Sequence, residues 1–153
     1  MPNTIWIDAD ALPGKIRDIL LKAILKKNLP ARFVANKWLD LPRRTHIKMK
    51  VVSHGFDKAD DWIVEHCSAG DLVITSDIPL ADEAIVKGTT VLTPRGRELN
   101  ANNIKPAVEA RNRREDARNM GLLDGMGGGP APLGQRDFQL FGNALDRWVR
   151  KQP

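Results

Sequence analysis

At 153 residues the chain is about one domain long, with 42% hydrophobic residues to build a core and 28% charged residues to cover it. A single cysteine excludes an internal disulfide and a cysteine-based zinc cluster, and no apolar run approaches the ~20 residues a membrane span needs. The net charge of +5 is unevenly placed: residues 1–89 carry 13 basic and 12 acidic groups, whereas residues 90–153 carry 11 and 7, an excess that suits a partner bearing phosphates.

The segment TIWID (4–8) predicts a short buried strand, and Asp8 and Asp10 interrupt any basic-then-apolar signal pattern, so a cytoplasmic protein is expected. From Pro13 to Lys27, Ile16, Ile19, Leu20, Ala23 and Ile24 follow the i, i+3, i+4 spacing of an amphipathic helix. ARFVAN (31–36) and MKVVS (49–53) read as strands, separated by a polar loop that Pro42 interrupts. A turn and helix follow in HGFDKADDWIVEHCSAG, with Ala59, Trp62, Ile63 and His66 on one face. DLVITS (71–76) is the clearest buried strand, IPLADEAIVKG the next helix, and TTVLT (89–93) the last strand.

Strands alternating with helices through short turns predict an α/β fold with a mostly parallel sheet and helices on both faces. Beyond Pro94 the character changes. An Arg-rich, weakly periodic surface helix is expected first, then a Gly- and Pro-rich flexible stretch (LLDGMGGGPAPLG). A helix carrying Phe138, Phe141, Leu145 and Trp148 ends the chain. The expectation is a single domain over residues 1–153, with a core at about 1–95 and a C-terminal helical extension at about 96–153.

In an open parallel sheet, ligands bind outside the carboxyl ends of the strands. Three strand-to-helix turns deliver acids to that edge: Asp8 and Asp10 after the first strand; Asp57, Asp60 and Asp61 after MKVVS; Asp77 after LVITS, with Asp82 and Glu83 one turn on. Each alone reads readily as a helix N-cap, since an Asp carboxylate accepts the orphan N–H groups of a first helical turn. Capping needs one acid per helix, however, and Asp8 inside the strand pattern caps nothing easily. Gathered carboxylates raise one another's pKa unless a cation neutralises them, and Mg²⁺ or Mn²⁺ with several waters is the natural cation. Such an ion orients water and stabilises charge on a phosphate. Acids, metal and a basic surface together point to metal-assisted phosphodiester hydrolysis.

Other chemistry is weakly signalled. His46, His54 and His66 share no zinc-site spacing, although His54 adjoins the Asp57 turn; no nucleophile elbow, Walker loop or dinucleotide-binding glycine motif follows a strand. Trp38, Trp62 and Trp148 read as packing residues rather than base-stacking platforms, and Cys67 as a small hydrophobe. Thr75 and Ser76 beside Asp77 could orient a water.

WIDADALP, VAN, GFDKADDWIV, GDLVITSDIPLADEAI, TPRGRELNANNI and GGPAPLGQRDFQLFGNALDRW together resemble the YaiI/YqxD family of uncharacterised bacterial proteins, over essentially the whole chain. Leu12 departs from the Cys common in the family's DADACP stretch, which removes an essential thiol at that turn and leaves the acids intact. The resemblance implies a PIN-like three-layer fold, related to metal-dependent nucleases whose acids gather at the ends of parallel strands. It makes Asp8, Asp10, Asp57, Asp60 or Asp61, and Asp77 the metal-binding candidates.

The resulting expectation is a divalent-metal-dependent nuclease favouring RNA over DNA. Asp8, Asp10 and Asp77 would hold Mg²⁺ or Mn²⁺, with Asp60 or Asp61 beside them, and Asp57 would be a further catalytic acid. Arg95, Arg97, Arg111, Arg113 and Arg114 would track the phosphates. No membrane partner is expected, and a homo-oligomer is compatible. Two alternatives stand: a non-catalytic nucleic-acid-binding or regulatory module, which would tolerate Asp8→Asn, and a haloacid-dehalogenase-like phosphatase with Asp8 as nucleophile and Asp10 as general acid. Against the latter, Leu12 replaces the Thr or Val of that motif and no paired acids follow TTVLT.

Overall fold

The computed structural model describes residues 3–10, 12–54, 58–121 and 132–153. Among them run β1 (Ile5–Asp8), α1 (Gly14–Lys27), β2 (Ala31–Ala35), β3 (Ile47–Val51), α2 (Lys58–His66), β4 (Leu72–Ile74), α3 (Ile78–Val86), β5 (Thr90–Leu92), β6 (Glu98–Leu99), α4 (Ile104–Asn119) and α5 (Gln135–Arg150). One sheet takes the order β3-β2-β1-β4-β5-β6, parallel throughout except for the antiparallel β5–β6 pair. The mostly parallel α/β sheet expected from the alternation is the one observed.

The pleat sends alternate residues to opposite faces, and this sorts the core into two layers. Ile5 and Ile7 of β1 point, with Phe33, Leu72, Ile74 and Leu92, toward α1 and α5. Trp6 points with Val34, Val73 and Val91 toward α2, α3 and α4. Helix α1 buries Ile16, Leu20 and Ile24, the stripe its periodicity predicts, and stops at Asn28, whose left-handed backbone (φ 51°) closes the last turn onto Ile24. Helix α5 buries Phe141, Ala144, Leu145 and Trp148 against the α1 face, so the terminal helix shares a core with the first strand.

Three local readings change. Strand β3 begins two residues earlier than MKVVS, at Ile47, and occupies a sheet edge where exposed Lys48 and Lys50 discourage further strand pairing. The two-residue β6 is too short to carry a periodicity. Trp38 is not a packing residue: the β2–β3 connection runs as a loop, and its indole is left 72% exposed. Trp148 is buried as expected, and half-buried Trp62 stacks on His66. Of the Gly- and Pro-rich stretch, residues 122–131 lie outside the described residues.

Strand order reverses direction at the centre of the sheet. From β1 the chain builds outward through β2 and β3, then crosses back to place β4 on the other side of β1. The crevice beyond the carboxyl ends of β1 and β4 is therefore the topological switch point, where open α/β sheets bind their ligands.

Candidate metal and nucleic-acid site

Asp8 is the last residue of β1, and Ile7 is in register with Ile74, the last residue of β4. One step further, buried Thr75 (2% exposed) donates its hydroxyl to Asp8 Oδ2 at 2.9 Å. The same Oγ1 accepts the backbone N–H of Asp77 at 3.0 Å, which fixes the direction of the hydroxyl. Asp77 then caps α3 by accepting the Leu80 N–H at 3.1 Å, with Pro79 in the first turn as helix starts prefer. The capping role read for Asp77 is real, and it also anchors this acid at the switch point. Asp10, two residues past Asp8, accepts the Asn36 N–H at 2.8 Å and so ties the β1 turn to the carboxyl end of β2.

Burial pushes the Asp8 carboxyl above the ordinary carboxylate range; the charges of Asp77 and Asp10 push the same way, and the Thr75 hydroxyl holds it back. Asp77 and Asp10 thus both act electrostatically on Asp8. Asp60 and Asp61 stand in the first turn of α2, Asp60 half-buried and Asp61 exposed. Asp57 lies outside the described residues. Half-buried Asp82 and exposed Glu83 belong to α3.

The fit to a metal can be tested on these donors. Among the described residues no three His, Cys, Asp or Glu side chains are gathered into a set able to hold an ion. Among the described residues, therefore, a closed carboxylate cage is not assembled. Mg²⁺, however, keeps most of its waters and is commonly held by one or two carboxylates. Half-buried Asp8, whose ionised form burial and like-charged neighbours disfavour, is a hard oxygen donor of the kind such a site takes.

Beside these acids opens a cavity of about 650 Å³. Ser76 and Asp77 line it, as do Arg95 and Arg97 of the β5–β6 turn and Arg111 and Arg114 of α4. The turn depends on Gly96, whose φ of 88° suits glycine and whose Cβ, if present, would lie 2.5 Å from Leu140 Cβ. Arg95 is oriented by Asp137 at 3.5 Å, the residue that also accepts the Gly134 N–H at the start of α5. Arg111 and Arg114 share a helix face at i, i+3 spacing; Arg113, between them, is exposed and is not among the cavity's lining residues. Four of the five arginines expected to meet phosphate thus face one space, with Asp77 in its wall.

Several participants escaped sequence reading. Asn36 holds Asp10 through a backbone N–H, a role with no side-chain signature. Pro13, Pro94 and Leu133 help wall the cavity from three separate segments. His54 is exposed, and His66 instead makes a 2.8 Å hydrogen bond through Nδ1 with Trp62 O.

A family model described as "Uncharacterized BCR, YaiI/YqxD family" matches residues 6–151. The chain belongs to the YaiI/YqxD family. A curated relative from Marinobacter nauticus, named UPF0178 protein, is 46% identical over 147 residues, 96% of each chain. Proteins of the same name from Psychromonas ingrahamii and Cellvibrio japonicus are 46% and 45% identical over 148 residues, covering 97% of this chain and 96% and 97% of their own. No solved structure matches the chain. Among the described residues no helix is long and apolar enough to cross a membrane.

Proposed function

We propose that this YaiI/YqxD protein is a divalent-metal-dependent nuclease that hydrolyses phosphodiester bonds in RNA. The observation that carries the reading is the cavity in which Asp77 shares a wall with Arg95, Arg97, Arg111 and Arg114, beside the strained charge of Asp8. Arginine is the side chain best suited to phosphate, because its fork of donors pairs with two oxygens at once. Carboxylates next to such a fork would repel a phosphate unless a cation intervened. Asp8 and Asp77 would hold Mg²⁺ or Mn²⁺, with Asp10 completing the negative field. When bound, the ion supplies a polarised water and a counter-charge for the phosphate. Thr75 keeps Asp8 oriented toward the crevice edge, and the cap on α3 fixes Asp77. The arginines position the chain of phosphates so that one scissile bond lies over the acids.

Cleavage of a mixed single-stranded RNA, with wild type and Asp8→Asn purified in parallel, tests this. Activity that needs Mg²⁺ or Mn²⁺ and disappears both with chelator and in Asp8→Asn supports the nuclease. Equal cleavage by both proteins marks a contaminant and rejects it. A second reading, a non-catalytic RNA-binding module, is favoured by the absence of a three-ligand set among the described residues. It predicts that both proteins bind the RNA equally and neither cuts.

A further inference from the structure

Of the four tryptophans, Trp6 and Trp148 are buried, and Trp62 is covered by Lys50, 4.4 Å above its ring, and by His66, stacked at 3.8 Å. Trp38 is different: at 72% exposure it is the only exposed Phe or Trp side chain among the described residues. It overlooks a groove of about 190 Å³ that Arg43, Pro42, Ile47 and Met49 help to line and to which Asp40 contributes the acidic member. Exposed Lys37 adjoins the indole in the chain and exposed Arg43 lines the groove, whereas exposed Arg44 lies at the far end of the loop, where its carbonyl accepts the Ile47 N–H at the start of β3. An open indole beside a slot lined by Leu41, Pro42, Ile47 and Met49, with Arg43 in its wall and Lys37 next to the indole in the chain, has the chemistry of a base-stacking platform with phosphate contacts beside it. Asp40 suits this ligand as well, since a carboxylate accepts the exocyclic amino groups of bases while keeping phosphates out of the slot.

The position follows from topology. Asn36, whose N–H holds Asp10, lies two residues before Trp38, a backbone reach of at most about 7 Å. Across the edge of the sheet the order is then the Trp38 loop after β2, Asp8 and Asp10 after β1, Asp77 after β4, and Arg95 and Arg97 after β5. Three strand spacings, about 14 Å, separate the β2 and β5 ends. We infer that Trp38 and its groove form a stacking subsite for an unpaired base, so that a single strand of nucleic acid runs from this loop across the acids to the arginine cavity. The inference rests on the nucleic-acid reading above and adds its strand state: a duplex keeps its bases stacked on one another and offers no open face to the indole.

Binding in chelator, where no cleavage intervenes, separates the two readings. Labelled single-stranded RNA is titrated with wild type, Trp38→Phe and Trp38→Ala, following RNA anisotropy and intrinsic tryptophan fluorescence together. The wild type should bind with saturable quenching. Trp38→Phe should lose the quench and keep affinity within about threefold, and Trp38→Ala should bind about tenfold more weakly. Arg114→Ala should weaken binding with the quench retained at saturation. Binding by wild type without quenching, and with equal affinity in Trp38→Ala, overturns the subsite and leaves the nuclease reading standing. Equal quenching by a matched duplex overturns the single-strand assignment. Self-association lost in Trp38→Ala, without any effect on RNA, assigns the indole to a second copy of this chain instead. No RNA binding by wild type, either in chelator or with Ca²⁺ supplied in its place, rejects both readings.

Discussion

Neighbouring strands β1 and β4 carry one carboxylate at each end of their shared seam, and the two live in opposite conditions. At the amino edge Asp71, 6% exposed, accepts three hydrogen bonds: Thr4 N–H at 3.0 Å, and Trp6 Nε1 and Ser68 N–H both at 2.9 Å. At the carboxyl edge Asp8 accepts one, from Thr75, and faces two further acids. Donors saturate the first charge and turn it into a clasp between the strand starts, the chain reversal at Ser68 and the buried indole of Trp6. The second has its ionised form disfavoured by burial and by like-charged neighbours, a penalty that a proton or a nearby cation would relieve. The same side chain is a structural tie at one end and an unmet electrostatic demand at the other.

The sharpest way to break this contrast is to neutralise each acid. Asp8→Asn keeps the shape and a partner for Thr75 but removes the charge. Cleavage should fall by about 100-fold or more, as loss of metal-supporting groups does. Melting without metal should be unchanged or slightly higher, and the rise in melting temperature that Mg²⁺ or Mn²⁺ gives the wild type should vanish, because a ligand stabilises only the state that binds it. A lower melting temperature in chelator would show that Asp8 is a tie like Asp71.

Asp71→Ala should behave in the reverse sense. It strands the Trp6 indole N–H and two backbone donors in a buried place, a cost of about 3 kcal/mol. Urea denaturation should record that loss, while the folded protein keeps its RNA affinity and metal response. A loss below about 0.5 kcal/mol would mean that water serves those donors as well as the carboxylate does.

The arginines give a finer comparison within one helix. Arg114→Ala should weaken RNA binding about fivefold and lower the salt slope by about 1, whereas Arg113→Ala should change neither, since only the former lines the cavity. Equal effects from both would replace a shaped phosphate site with a diffuse basic surface.

How far all this was legible follows from the range of each interaction. The stripe Ile16, Leu20, Ile24 and the apolar run of β4 announce their elements because periodicity is local, and Asp8 stood out because an acid closed a buried strand. The convergence of Asp77 with Arg111 and Arg114, more than 30 positions apart, needs the packing of α4 on α3 and has no local trace. Trp38 misled for a related reason: indoles usually pack, and only the absence of a helix between the parallel strands β2 and β3 leaves this one open. Asp71, at the head of an apolar strand just after Gly70, carried the signal of a buried acid that the acids at the other edge overshadowed.

The smallest expected effect concerns pH, and its sign distinguishes the edges without any substrate. Asp8 titrates above the ordinary carboxylate range in the folded protein, because burial and the charges of Asp77 and Asp10 disfavour its ionised form. In the unfolded chain it returns to the ordinary range. The folded state therefore binds the proton more tightly, and Asp8 contributes stability that is fully present below its unfolded pKa and lost as pH rises through its folded pKa. Asp8→Asn cannot titrate, so in chelator the stability of wild type relative to the variant should fall as pH climbs through that window. Added Mg²⁺ should cancel the fall, since a cation beside the carboxylate favours the charged form that burial opposes. The change is modest, as the Thr75 hydroxyl already offsets part of the burial. Parallel curves for the two proteins would mean that Asp8 feels neither burial nor its neighbours, and the contrast with Asp71 would lose its electrostatic basis.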